Sequence, residues 1–136
     1  MTSKPTVLFV CEHGAAKSII AATYFNKLAN EKGLNLRAIA RGTNPDEALS
    51  PKTVNGLIED GLQQTETTPQ KLTSADIASA QLIITFCNLS NEEYQQIVEV
   101  NHWNNVPPVS ENYQIARNAI VENLNQLIAE ITDLQP

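Results

Sequence analysis

Two short runs of apolar, largely β-branched residues, Thr6–Val10 (TVLFV) and Leu82–Phe86 (LIITF), constrain this chain more than any other feature. A strand with no polar face must be covered on both sides, as a central strand of a parallel sheet is. The first run enters the loop Cys11–Ser18 (CEHGAAKS). From Ser18 a helical pattern follows, with Ala21, Tyr24, Phe25 and Leu28 on one face and Lys32-Gly33 as its close. Leu36–Ala40 reads as a further strand. Ser50-Pro51 supplies an N-cap and first-turn proline for a helix carrying Val54, Leu57 and Ile58, which Gly61 ends.

Thr65–Leu72 has little apolar content and reads as a loop, after which Thr73-x-x-Asp76 signals a short helix reaching Ala80. Ser90-x-x-Glu93 is a capping box for a helix with Tyr94, Ile97 and Val98 on one face. His102–Val109 contains Trp103 and Pro107-Pro108, which restrict it to an edge strand or loop. Ser110 caps the last helix, whose stripe of Tyr113, Ala116, Ile120, Leu124, Leu127 and Ile131 runs for about five turns.

This alternation predicts an α/β fold: a three-layer sandwich in which a four-stranded parallel sheet of order 2-1-3-4 carries helices on both faces, with residues 1–136 forming a single domain. The two most apolar strands sit side by side at its centre. A chain of 136 residues buries enough surface to fold without metal or disulfides. Nine Lys and Arg stand against fifteen Asp and Glu, a net charge of −6, so neither nucleic acid nor an anionic membrane is an expected partner. Any anion site must be local. The N-terminal apolar run stops at Glu12, too short for a signal peptide, and no run is long enough to span a membrane. A cytoplasmic protein is the expectation. Two cysteines far apart in sequence form neither a disulfide framework nor a zinc pattern, and no metal or cofactor is expected.

The loop after the first strand carries the chemistry. Between a buried strand and a helix, the backbone N–H groups of Glu12, His13, Gly14, Ala15, Ala16 and Lys17 can converge on a tetrahedral oxyanion at the positive end of the helix dipole. A thiol at the mouth of that cradle is expected to ionise readily, which nominates Cys11 as nucleophile. Gly14 permits positive φ. Ser18 can donate to the thiolate, and Lys17 points a cation at the anion. Cys87 follows the other central strand, and neighbouring strands lie about 4.8 Å apart, within the separation a disulfide needs. Cys87 is thus either a packing thiol in an apolar strand end or a redox partner of Cys11.

VLFVCEHGAAKS, the ARGT segment at 40–43, LSPKTVNGL at 49–57, QKLTSADIASAQLIITF at 70–86 and the long final helix resemble the low-molecular-weight protein tyrosine phosphatases and the thioredoxin-coupled arsenate reductases that share their fold. The resemblance implies a Cys-x5-Arg-Ser anion loop, a covalent cysteinyl intermediate and an aspartic general acid before the last helix. It also implies phosphate, arsenate or a phosphorylated substrate as ligand, and thioredoxin or another thiol as reductant. A cysteine in the place of Cys87 is what the reductases use to attack the arsenylated nucleophile. Those enzymes carry a further cysteine a few residues on, whereas Asn88–Asn91 offers none, so a Cys11–Cys87 bond would be reduced directly by an external thiol.

Three departures stand out. Lys17 replaces the loop arginine, and an ammonium lacks the planar two-pronged grip on a phosphoryl group, so lower turnover is expected. Val106-Pro107-Pro108-Val109 stands where the family has Asp-Pro, leaving Asn105 and Glu111 as the nearest polar groups; losing a general acid puts about 10²–10⁴ in rate at risk. Glu12 opposes thiolate and anion unless its side chain turns outward. Arg41, just past the second strand where the family has Ser-Ala-Gly, is the candidate to swing in and supply the missing guanidinium. His13 reads as a solvated loop residue rather than a proton shuttle, His102 and Trp103 as packing, and Tyr113 as first-turn core. The leading expectation is a cysteine-dependent phosphatase or arsenate reductase. An impaired oxyanion- or phosphoprotein-binding relative, or a Cys11/Cys87 redox sensor, are the alternatives.

Overall fold

The structure is a computed structural model that describes residues 5–64, 66–87 and 100–134. Strands β1 (Thr6–Cys11), β2 (Arg37–Gly42), β3 (Ala80–Thr85) and β4 (Asn101–His102) form one parallel sheet of order β2-β1-β3-β4. The predicted α/β architecture and strand order are those observed. The helices are α1 (Lys17–Glu31), α2 (Pro51–Glu59), α3 (Ser74–Ser79) and α4 (Tyr113–Leu134). The expected helix after Ser90, with Tyr94, Ile97 and Val98, lies outside the described residues. Among the described residues no helix is long and apolar enough to cross a membrane.

Alternation along β1 builds two cores. Val7 and Phe9 pack on one face with Ile20 and Phe25 of α1 and Ile120, Leu124 and Ile128 of α4, while Leu8 and Val10 face Leu72 and Ile83, with Ile77 of α3 packed beside them. Every β1 residue is buried, as the unbroken apolar run requires. Phe9 meets Phe25 and Trp103 in tilted ring pairs, and Trp103 meets Phe86 edge-on at 5.7 Å, so Trp103 is the packing residue its sequence suggested, whereas His102, expected to pack with it, is exposed. Burial at this density fixes where β1 ends, and thereby where Cys11 sits.

Local signals set the helix boundaries. Ser50 caps α2 by accepting from the Thr53 amide, with Pro51 in the first turn, and Thr73 and Asp76 form a reciprocal capping box on α3. Gly33 takes φ +68° after α1. Two expectations are corrected. Strand β2 runs on to Gly42 because the Cys11–Gly42 pair still belongs to the parallel register with β1. Helix α4 starts at Tyr113 rather than after Ser110: Asn112, an equally good cap, accepts from the Ile115 amide at 3.0 Å, while residues 108–112 form a turn on the Pro108 carbonyl.

Tyr113 is not simply core. Its hydroxyl donates to Asp60 at 2.8 Å, beside the Tyr24 hydroxyl at 2.6 Å and the Arg117 guanidinium at 2.8 Å, joining α1, α2 and α4 at one carboxylate. Burial works to raise the Asp60 pKa, but these three donors outweigh it and hold the carboxyl below its ordinary range. Burial and the same carboxylate push Tyr24 up to about 12 and Tyr113 higher still.

Candidate functional site

The carboxyl ends of β1 and β3 open into a cleft of about 360 Å³ lined by Cys11, His13, Lys17, Asp46, Phe86 and Cys87, with Pro108, Val109 and Ser110 opposite. This is where an open α/β sheet binds ligands. The loop between β1 and α1 is pinned by a ladder to the segment after β2. The amides of Thr43, Asn44, Asp46 and Ser50 donate to the carbonyls of Cys11, Glu12, His13 and Ala15 at 3.1, 2.7, 3.0 and 3.0 Å.

The ladder uses only the carbonyls of that loop, all on its outer side. In a trans peptide each carbonyl opposes the following N–H, and no peptide here is cis. The N–H groups of Glu12, His13, Gly14 and Ala16 therefore turn to the concave side. Gly14 takes φ +61°, and a Cβ on Gly42 would lie 2.7 Å from the Gly14 nitrogen, so both loops need glycine where they cross. Helices α2 and α3 have side-chain caps, whereas α1 has neither a capping side chain nor an acidic residue in its first turn. Its N-terminus leaves amide donors and a positive dipole end for an anion.

Cys11 is buried at the base of this cup, with its Sγ 2.9 Å from Ser18 Oγ, itself fully buried. The hydroxyl can donate to a thiolate from a fixed position. Lys17 lines the cleft with its Nζ donating to the Val106 carbonyl at 2.9 Å, which ties α1 to the proline segment and leaves two further N–H donors. Ala15 and Ala16 also line the wall. Glu12 turns outward, its side chain 64% exposed, and lies 3.7 Å from His13 Nε2. His13 Nδ1 lies 3.1 Å from Asp46 Oδ1.

Arg41 is the correction among the expected site residues. Its guanidinium is held by Asp76 at 3.0 Å, Glu66 at 3.5 Å and its own strand's Ala40 carbonyl at 2.8 Å. It lines a separate groove of about 650 Å³ along the outer edge of β2 with Asn26, Arg37 and Glu66. Two carboxylates and a backbone acceptor satisfy it where it stands, so it does not reach into the cup. Asn105, considered for the missing acid, exchanges hydrogen bonds with Asn123 of α4 instead.

Cys87 lines the same cleft as Cys11, and both are free thiols. Burial pushes the Cys87 thiol up; hydrogen bonding from Thr85 counters in part, while negative charge on Cys11 and Glu12 pushes the same way as burial. Sequence reasoning missed Asp46, Ser50 and Phe86 as lining residues. The signal that could have found Asp46 was its place in the loop after a strand's carboxyl end.

No curated protein matches the chain in sequence. Among solved structures it is similar to YfkJ from Bacillus subtilis, with 20% identity, 99% of each chain covered and a TM-score of 0.85. An arsenate reductase from Archaeoglobus fulgidus has 24% identity over 90% of this chain and 98% of that one, with a TM-score of 0.72. A thioredoxin-dependent arsenate reductase from Corynebacterium glutamicum has 23% identity over 96% of this chain and 63% of that one, with a TM-score of 0.74. These likenesses establish the fold. Residues 6–111, which contain the whole Cys11–Ser18 loop, Cys87 and the facing proline segment, match the family of the low molecular weight phosphotyrosine protein phosphatases, and the chain belongs to that family.

Proposed function

We propose that this protein is a cysteine-dependent enzyme in which Cys11 attacks the central atom of a bound phosphate or arsenate group. The observation that carries the reading is the buried Cys11 Sγ, 2.9 Å from Ser18 Oγ, at the base of a loop whose Cys11, Glu12, His13 and Ala15 carbonyls bond to the neighbouring 43–50 segment. The amides of Glu12, His13, Gly14, Ala15, Ala16 and Lys17 hold the equatorial oxygens, and the positive end of α1 favours their charge. Lys17 adds its ammonium without the bidentate grip of a guanidinium. Ser18 donates to Sγ, which stabilises the sulfur both as attacking thiolate and as leaving group when water cleaves the intermediate.

Arsenate reduction is the second reading, favoured by Cys87 in the same cleft. There Cys11 displaces water from arsenate, the Cys87 thiolate attacks the Cys11 sulfur, and arsenite leaves with the electron pair as the disulfide forms. An external dithiol of the thioredoxin class then reduces the disulfide.

The test compares the wild type with Cys11→Ser, Cys87→Ser and Lys17→Arg on p-nitrophenyl phosphate and in thiol-coupled arsenate reduction. Cys11→Ser abolishes both activities. Cys87→Ser spares phosphate turnover and abolishes arsenate reduction. Lys17→Arg raises phosphate turnover by about tenfold, as a second directed hydrogen bond to the transition state would. Full activity of Cys11→Ser on both substrates refutes the proposal. Saturable phosphate binding with no product from either reaction replaces it with a binding role.

A further inference from the structure

We propose that His13, oriented by Asp46, is the proton donor to the leaving group in phosphoryl transfer, an assignment that rests on the phosphatase reading above. The resemblance implies a general acid before the last helix, but here that segment presents Pro108, Val109 and Ser110 to the cleft, and Asn105 bonds to Asn123. Among the described residues lining the cleft, the acid–base side chains besides the thiols and Lys17 are Glu12, His13 and Asp46.

In-line displacement places the leaving oxygen opposite the attacking sulfur. Cys11 is buried at the base, so that oxygen emerges at the rim. His13 stands at the rim, its side chain 56% exposed, while belonging to the loop that holds the anion. Its position is built in rather than incidental. The Asp46 amide donates to the His13 carbonyl at 3.0 Å while the Asp46 carboxylate lies 3.1 Å from His13 Nδ1, so one residue fixes both the backbone and the ring. A ring held through Nδ1–H keeps Nε2 as its exchangeable position, 3.7 Å from Glu12, on a side chain that lines the cleft. Histidine can give and take a proton near neutral pH, as both halves of the reaction require.

In the first half-reaction the Cys11 thiolate attacks phosphorus, the S–P bond forms, the P–O bond to the alcohol breaks, and the His13 imidazolium passes its Nε2 proton to the departing oxygen. In the second, neutral His13 takes a proton from the water that attacks phosphocysteine. The S–P bond then breaks, the thiolate leaves with the electron pair, and inorganic phosphate departs. Asp46 acts through His13 and is a positioning residue.

The test is the dependence on leaving group. Phenyl phosphate releases an alcohol with a pKa of about 10 and needs protonation, whereas p-nitrophenyl phosphate releases a far better leaving group. His13→Gln lowers kcat on phenyl phosphate by about 10²–10⁴ and on p-nitrophenyl phosphate by about tenfold or less. Asp46→Asn shows the same asymmetry, more weakly. Retained protection of Cys11 from alkylation by inorganic phosphate shows that each variant keeps its loop. Equal losses on the two substrates, no loss, or the asymmetry in Glu12→Gln instead would overturn the assignment and leave the phosphatase reading standing. Wild-type protein without Cys11-dependent turnover of either ester overturns both.

Discussion

Replacing Gly42 by alanine places a methyl group 2.7 Å from the Gly14 nitrogen, 2.9 Å from Gly14 Cα and 2.9 Å from the His13 carbonyl carbon. All three are backbone atoms, so no side chain can rotate away. Gly42 does not itself have positive φ, and alanine there carries no conformational strain; the effect is purely steric. Non-bonded heavy atoms rest at roughly 3.5–4.0 Å, so the two loops must separate by about 1 Å. Overpacking of this kind costs about 1–3 kcal/mol of stability. A displacement of about 1 Å at a catalytic loop costs about 10²-fold in rate. Gly33→Ala is the control: φ is +68° and a Cβ there meets nothing within 4 Å, so it costs about 1–2 kcal/mol through strain alone. Urea unfolding and p-nitrophenyl phosphate kinetics on both variants give the comparison. Comparable destabilisation with turnover lost only in Gly42→Ala is expected. Gly42→Ala within about 0.5 kcal/mol of wild type with full turnover would refute the crossing-loop argument.

Ser18→Ala removes the hydroxyl 2.9 Å from Cys11 Sγ; steady-state turnover falls by about 10²-fold while a burst of p-nitrophenol persists, because breakdown of the intermediate loses its donor. Asp60→Asn takes the charge from a carboxylate that Tyr24, Tyr113 and Arg117 share, lowering stability in urea by about 3 kcal/mol at neutral pH. The Asp60 pKa is depressed by folding, so its stabilisation is complete above the ordinary carboxylate value of about 3.9 and is lost as pH falls through the lower folded value. Asp60→Asn therefore lacks that component of the acid unfolding curve. Arg41→Ala leaves phosphate protection of Cys11 unchanged in alkylation assays, since its guanidinium is committed to Asp76 and Glu66.

What the sequence made legible was local. Thr6–Val10 and Leu82–Phe86 declare central strands because nothing polar interrupts them; Ser50-Pro51 and Thr73-x-x-Asp76 mark helix starts because capping chemistry spans only three residues. The loop from Cys11 to Ser18 combined both kinds of signal. What stayed hidden depends on segments remote in sequence. Arg41 is captured by Glu66 and Asp76, 25 and 35 positions away, and no periodicity announces that. Tyr113 has the spacing of a core residue, yet its ring lies against Gly56 and its hydroxyl finds Asp60. His13 is the exposed loop residue its sequence suggests, but the Asp46 carboxylate that the backbone ladder brings beside it is not announced by sequence. Ser110 and Asn112 are both competent caps two positions apart, and only the turn on Pro108 decides between them.

The most direct test of a sulfur poised in an amide-lined anion cup is competition at that sulfur. Wild-type protein is alkylated with iodoacetamide at neutral pH, with and without saturating phosphate or arsenate, and the two cysteines are followed separately by peptide mass. Cys87, the second thiol of the same cleft, has its thiol pushed up by burial and is expected to react more slowly. Cys11 reacts first, and the anion slows it by about tenfold or more, as occupancy of a site enclosing the sulfur requires. Cys11 alkylation at the same rate with and without either anion would contradict the account.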